Sequence, residues 1–346
     1  MKTSDFNFEL PDKLVAQYPA TERGHSRLLV MDRKDKSLRH SMVKELPSIL
    51  ESGTLMVFNN SRVRRSRIYG VCEASGAKVE FLLLKKLDSL SWLVLSKRSK
   101  RQRAGKRYVF DGAGAELLSA EAGGTFILKF DLPIDDAWLD IHGHVPLPPY
   151  IRRKDQSLDS ERYQTVYASD YGSSAAPTAG LHFTNELFGE LEKAGVETAF
   201  ITLHVGLGTF LPVRTENLED HKMHEEAYCI DDETAFRIEK AKAEGRKILA
   251  AGTTSLRALE SAWIEDPSLS CGGTLRRGNG GTSIFIYPGY VFKAVDILFT
   301  NFHTPGSTLL MLAAAFAGRD FVLESYKEAV REGYRFFSYG DACLML

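Results

Sequence analysis

Beyond Ile151, an apolar strand, a turn rich in Gly, Thr or Ser and an amphipathic helix follow one another repeatedly, and that order leaves few folds open. Lys247 to Ala251 leads through Gly252-Thr253-Thr254-Ser255 into a helix carrying Leu256, Leu259, Glu260 and Trp263. Ala294 to Phe299 leads through residues 300–308 into the apolar helix Leu309 to Phe316. Ala199 to Val205 leads into Gly206-Leu207-Gly208-Thr209, where Phe210-Leu211-Pro212 interrupts any immediate helix. Units of this kind build a sheet with helices packed on it, and ligands gather at the C-terminal ends of its strands.

The preceding segment has a different texture. After the apolar strand Thr54 to Asn59, short β-like runs follow at Arg67 to Val71, Lys78 to Leu84, Ser91 to Leu95, Arg107 to Phe110 and Thr125 to Phe130. Turn clusters such as Ala74-Ser75-Gly76 and Asp111-Gly112-Ala113-Gly114 separate them, which suggests a small barrel or sandwich. The run ends at His144-Val145-Pro146-Leu147-Pro148-Pro149-Tyr150, where three prolines enforce extended backbone. The expected architecture is therefore a discontinuous mixed α/β domain, residues 1–61 and 151–346, interrupted by a β domain over 62–150. Two domains also suit a chain of 346 residues.

Charge sharpens the division. The formal net charge is only −1, yet Arg62 to Arg107 holds fourteen Lys/Arg against three acids. Charge runs are usually solvated surface, but an excess of eleven on a small β platform repels itself unless a polyanion uses it, and nucleic acid is the favoured partner. The N-terminus lacks the apolar stretch of a signal peptide, and Leu309 to Ala315 is too short to span a bilayer, so the expected location is the cytoplasm. Cys72, Cys229, Cys271 and Cys343 form no Cys-x-x-Cys pair and read as reduced packing residues.

Several motifs carry chemistry, each beside a plainer reading. Gly252-Thr253-Thr254-Ser255 sets hydroxyls and free N–H groups at a helix N-terminus, suited to a phosphate or carboxylate, with Arg257 in the first turn; the hydroxyls could equally be simple caps. Gly206 and Gly208 let backbone approach a ligand or form a tight turn, and the missing third glycine opposes a dinucleotide fold. His182, within Pro177 to Thr184, is a proton carrier or a satisfied structural histidine. Tyr287 and Tyr290 flank a rigid turn and offer faces for a nucleobase or a sulfonium, or hydrophobic anchors. His221, His224, Glu225 and Glu226 do not match a metalloprotease spacing, nor do His142 and His144 mark a third ligand, so no metal is expected.

As an ordered set, the stretches Phe6 to Pro11, Ala16 to Pro19, Ser26 to Val30, Val57 to Val63, Gly143 to Ile151, Arg162 to Ala168, Ala175 to Thr184, His204 to Phe210, Met223 to Glu225, Gly252 to Arg257, Ile284 to Tyr290, Thr300 to His303 and Phe336 to Asp341 resemble the S-adenosylmethionine:tRNA ribosyltransferase-isomerase family. The resemblance implies an α/β domain with an inserted small antiparallel β-barrel. It implies S-adenosylmethionine consumed as ribosyl donor and, as acceptor, 7-aminomethyl-7-deazaguanine at the tRNA wobble position, giving epoxyqueuosine, adenine and methionine. The protein would act as a monomer, without metal.

Within that reading the positive sulfur acidifies the ribose C5′ hydrogens, and the base that removes one is His204 or His303, each at a strand end, with His182 third. Glu225 or Asp341 would help to deprotonate the attacking amine. Gly206, Gly208, Thr209, Thr253, Thr254, Ser255, Arg257, Tyr287 and Tyr290 are the expected cofactor contacts, and Asn60, Arg62, Arg152, Arg153, Arg162 and Gln164 the expected acceptor and tRNA contacts. Arg65 stands where the family commonly has proline and Gly306 where lysine is common, which puts an anion contact at Gly306 in doubt; Ser174 and Cys343 are milder changes. A methyltransferase would share the cofactor but release S-adenosylhomocysteine. A non-catalytic RNA-binding module would leave the polar turns after three strands without purpose.

Overall fold

The computed structural model of the chain describes residues 1–97, 99–121, 124–206 and 215–346. At its centre lies Leu55–Asn59, every residue of which is buried. Leu55 and Val57 enter one core while Met56 and Phe58 enter another, so the strand is covered on both faces. A strand so covered needs a continuous apolar run rather than alternation. Burying each of these side chains contributes about 1.5–3 kcal/mol.

Around it forms a nine-stranded mixed sheet, in the order Gly278–Thr282, Glu226–Ile230, Glu197–Leu203, Leu55–Asn59, Ile248–Ala251, Ile297–Asn301, Ala342–Met345, Arg27–Met31 and Leu38–Met42. The four strands from Glu197–Leu203 to Ile297–Asn301 are mutually parallel. Helices Asp232–Ala243, Thr253–Ala262, Thr308–Ala317 and Arg319–Arg331 share the core of one face, and Asn185–Lys193 that of the other. Thr308–Ala317 is apolar on nearly every side and correspondingly buried.

The basic segment forms a closed antiparallel barrel of six strands: Thr125–Phe130, Ser91–Ser96, Lys78–Lys86, Arg67–Cys72, Arg107–Phe110 and Ala113–Ala120. Closure leaves no sheet edge exposed to foreign pairing. The expected fold class, a discontinuous mixed α/β domain with an inserted small barrel, is the one found. One strand differs from expectation: Ala113-Gly114 belongs to Ala113–Ala120 rather than to a turn. Gly112, at φ +74°, makes the turn, and Gly114 lies in the strand opposite Val109.

The proline run returns the chain to the sheet. His144 pairs with Arg67 on the barrel, and Val145 and Leu147 then pack with Val63, Ile151, Tyr163, Ala176, Leu181 and Tyr339. Pro148 to Tyr150 are thereby laid beside the C-terminal ends of the parallel strands, where they wall a cavity.

Candidate active site

Because four neighbouring strands are parallel, Leu203, Asn59, Ala251 and Asn301 end at one edge of the sheet. A cavity of about 660 Å³ opens there, within the range of small-molecule sites. Thr253, Thr254 and Arg257 line it from one strand-to-helix turn, Thr300 to Leu309 from the next, and Val205 and Glu226 from the neighbouring strands.

The turn after Ile248–Ala251 is shaped for an anion. Gly252 sits at φ +98°, a left-handed conformation that L side chains resist, and donates its N–H to the Phe299 carbonyl. Gly252 has no side chain with which to cap the helix Thr253–Ala262 that follows, and among the described residues no other side chain caps it, so its first N–H groups and its dipole are open to a ligand. Arg257, 6% exposed, pairs through Nη1 with Glu226, 4% exposed, whose other oxygen accepts from the Gly206 N–H at 2.9 Å. Among the described residues Arg257 Nη2 is buried without a partner, which costs about 1–3 kcal/mol unless a ligand or water answers it.

The three histidines separate by what they touch. His303 lines the cavity, with Nε2 3.0 Å from Thr300 Oγ1, and burial pushes its pKa down to about 3. His182 lies behind Asn301: Nδ1 is 2.9 Å from Ser26 Oγ and Nε2 3.1 Å from Asn301 Nδ2, so both ring nitrogens are engaged. Asn301 Nδ2 also donates to the Phe337 carbonyl, which can only accept, and this fixes the amide orientation and leaves His182 Nε2 without a proton. Burial, reinforced by Arg335 and Arg23, brings the His182 pKa to about 3. His204 stands outside this cavity's lining, 4.0 Å from Asp170, with a pKa lowered chiefly by burial and with Nδ1 buried and unpartnered.

The other expected residues divide similarly. The Ser255 hydroxyl donates back to the Ala251 carbonyl at 3.0 Å, and Thr254 Oγ1 accepts from Asn59 at 3.3 Å. Tyr290 donates to Glu260 and Tyr287 packs on Phe285, neither in the cavity wall. Gly208 and Thr209 lie outside the described residues. Asn60 accepts from Thr202 Oγ1 at 2.7 Å. Arg153 forks onto Asp159 at 2.6 and 2.8 Å, exposed Arg152 pairs with Asp12, and Arg162 donates to the Ala20 and Thr21 carbonyls. Gln164 clamps both backbone groups of Val63, beside Arg62. Glu225 is exposed, and Asp341 accepts from the backbone N–H groups of Arg27 and Arg335.

Two wall residues escaped the sequence reading. Glu226 was passed over for Glu225, although strand alternation places Glu226, Tyr228 and Ile230 on one buried face. Asn301 closes the strand Ile297–Asn301, and that place at a strand end is the sequence signal that points to it. Its Oδ1 is buried without a partner. Among the described residues no group of three or more His, Cys, Asp or Glu is arranged to hold a metal ion, and all four cysteines are free.

Comparison with known proteins adds an independent line. Residues 3–345 match the family model described as queuosine biosynthesis protein. The chain is 51% identical over 353 residues to the S-adenosylmethionine:tRNA ribosyltransferase-isomerase of Treponema denticola, covering 100% of both chains. It is 49% identical over 350 residues to the protein of the same name from Borreliella afzelii, covering 100% of this chain and 99% of the other. The crystal structure of S-adenosylmethionine tRNA ribosyltransferase from Thermotoga maritima matches with a TM-score of 0.57 and 38% identity, over 99% of this chain and 100% of that one.

Proposed function

The chain belongs to the family of queuosine biosynthesis proteins, and on that basis we propose that it moves the ribosyl moiety of S-adenosylmethionine to 7-aminomethyl-7-deazaguanine at the tRNA wobble position. The products are epoxyqueuosine in tRNA, adenine and methionine. Full-length identity of 51% to an enzyme named for this reaction carries the proposal. The cavity at the ends of four parallel strands is consistent with it. No described helix is long and apolar enough to cross a membrane. We take the cytoplasm, where tRNA is modified, as the place of action and residues 62–150 as the inserted domain.

S-adenosylmethionine enters as a co-substrate whose positive sulfur acidifies the adjoining C5′ hydrogens. In this reading its carboxylate lies at the open N-terminus of Thr253–Ala262, with Arg257 Nη2 as the second donor. Glu226 holds Arg257 in place and ties down the Gly206 backbone. His303 is the base we assign, because among the three histidines it alone lines the cavity. In the tautomer that donates Nε2–H to Thr300 Oγ1, its Nδ1 lone pair is left to take the C5′ proton. Burial keeps it unprotonated at neutral pH and also weakens it as a base, so the assignment rests on its position in the cavity and on the acidity the sulfonium gives the C5′ hydrogens. The neutral aminomethyl group of the deazaguanine then forms the C–N bond to the opened ribosyl unit and gives up a proton, and the glycosidic bond to adenine breaks. C5′ closes the carbon ring before an alkoxide oxygen displaces the sulfur from C5′, forming the epoxide and releasing methionine.

The test is incubation of the protein with S-adenosylmethionine and tRNA carrying the aminomethyl-deazaguanine. Adenine and methionine are expected in equal amounts, dependent on the tRNA; S-adenosylhomocysteine in their place would mean methyl transfer and would sink the proposal.

A further inference from the structure

A second, polar cavity of about 320 Å³ lies between the barrel's entry strand and the α/β domain, bordered by Arg62, Arg65, Asp140, Asp159, Gln164 and Tyr171. Tyr163 borders both this groove and the larger cavity, so the two are neighbours across one buried ring. The local fold accounts for what the groove presents. In the strand Ser61–Val63, Ser61 and Val63 are buried and Arg62 is turned to the opposite side. Asp170–Ser173 pairs with it in parallel with Tyr171 opposite Arg62, which seats the guanidinium 4.5 Å from the Tyr171 ring centroid. Gln164 fixes the register by accepting from the Val63 N–H at 2.9 Å and donating to its carbonyl at 3.2 Å.

Charge distinguishes Arg62 and Arg65 from the arginines around them. Arg64 pairs with Asp136, Arg67 with Glu80 and Arg153 with Asp159. Among the described residues neither Arg62 nor Arg65 makes an ion pair; Arg65 donates only to the Asp140 carbonyl at 2.7 Å, and Arg62 Nε is buried without a partner. Asp159 is already answered by Arg153, Tyr339 and the Gln156 N–H, which leaves two guanidinium groups against the Asp140 carboxylate.

We propose that this groove holds a nucleotide next to the modified one in the tRNA chain, its phosphate on Arg62 and Arg65, while the target base enters the larger cavity. The inference rests on tRNA being the substrate. Single-stranded RNA is recognised by unstacked bases against aromatic rings and guanidinium planes, with phosphates on arginine, and the Arg62–Tyr171 pair supplies both kinds of surface. A phosphodiester linkage also suits adjacent cavities, since it separates neighbouring bases by only a short span.

Kinetics and salt-dependent tRNA binding of the full chain test this in Arg62→Ala, Arg65→Ala and Arg62→Lys. Each alanine variant is expected to raise KM for tRNA by about tenfold and to lower the slope of log binding constant against log salt by about one, with KM for S-adenosylmethionine shifted less than about twofold. Arg62→Lys is expected to keep the salt slope, which a merely structural loss would not do. Unchanged tRNA KM and slope in both alanine variants, or equal weakening for tRNA and S-adenosylmethionine, would overturn the groove assignment. If the wild type binds tRNA but releases no adenine, the reaction reading fails instead, and the salt slopes still decide the groove.

Discussion

His182 and His303 are both buried and both kept neutral, and this ties stability to pH. Each has a folded pKa pushed down to about 3 from an ordinary 6.5, chiefly by burial. As pH falls below about 6.5 the unfolded chain takes up these protons and the folded chain does not, so stability declines by up to about 1.4 kcal/mol per pH unit for each histidine until pH approaches about 3. His182→Gln retains an acceptor for Asn301 and a donor for Ser26 without a titrating ring. Urea unfolding between pH 7 and 5 should show a wild-type loss that shrinks in His182→Gln by about that single-histidine slope. An unchanged slope would mean that His182 is not held neutral. The role of such residues is hard to read from sequence because it depends on partners far along the chain: Ser26 precedes the strand Arg27–Met31 and Asn301 ends the strand Ile297–Asn301, and both reach His182 only in the folded chain.

The strand-to-helix turns were legible as elements before they were legible as a site. Gly252-Thr253-Thr254-Ser255 announced a helix start, and Thr253–Ala262 begins there. What the sequence could not assign was which hydroxyl faces the cavity and which bonds backward, as Ser255 does to Ala251. Gly252 is the element's fixed point, since at φ +98° a side chain is strained whatever the space around it. Gly252→Ala is expected to cost about 1–2 kcal/mol in urea unfolding and to weaken S-adenosylmethionine binding, measured by calorimetry, as the helix N-terminus shifts. Wild-type affinity in that variant would remove the helix N-terminus from the proposed binding site. The barrel shows the complementary lesson: five of its strands are visible as short β-like runs, and the sixth is hidden because its first residues, Ala113-Gly114, read as part of a turn cluster.

At the scale of the molecule, a nearly neutral chain divides its labour by charge. The excess of positive residues from Arg62 to Arg107 is gathered largely on the barrel, while the sheet edge builds a cavity with one buried ion pair and an open helix end. The proline run that joins barrel to sheet also walls the cavity, so on the proposed reading an RNA held by the barrel would lie next to the site assigned to the sulfonium. The reading turns on which carbon atoms leave S-adenosylmethionine. The decisive measurement is a reaction with S-adenosylmethionine carrying one isotope in the ribose carbons and another in the methyl group, followed by mass analysis of the tRNA nucleoside. Ribose label in the nucleoside without methyl label is the expected result; methyl label in the tRNA, or no transfer of ribose carbons at all, would contradict it.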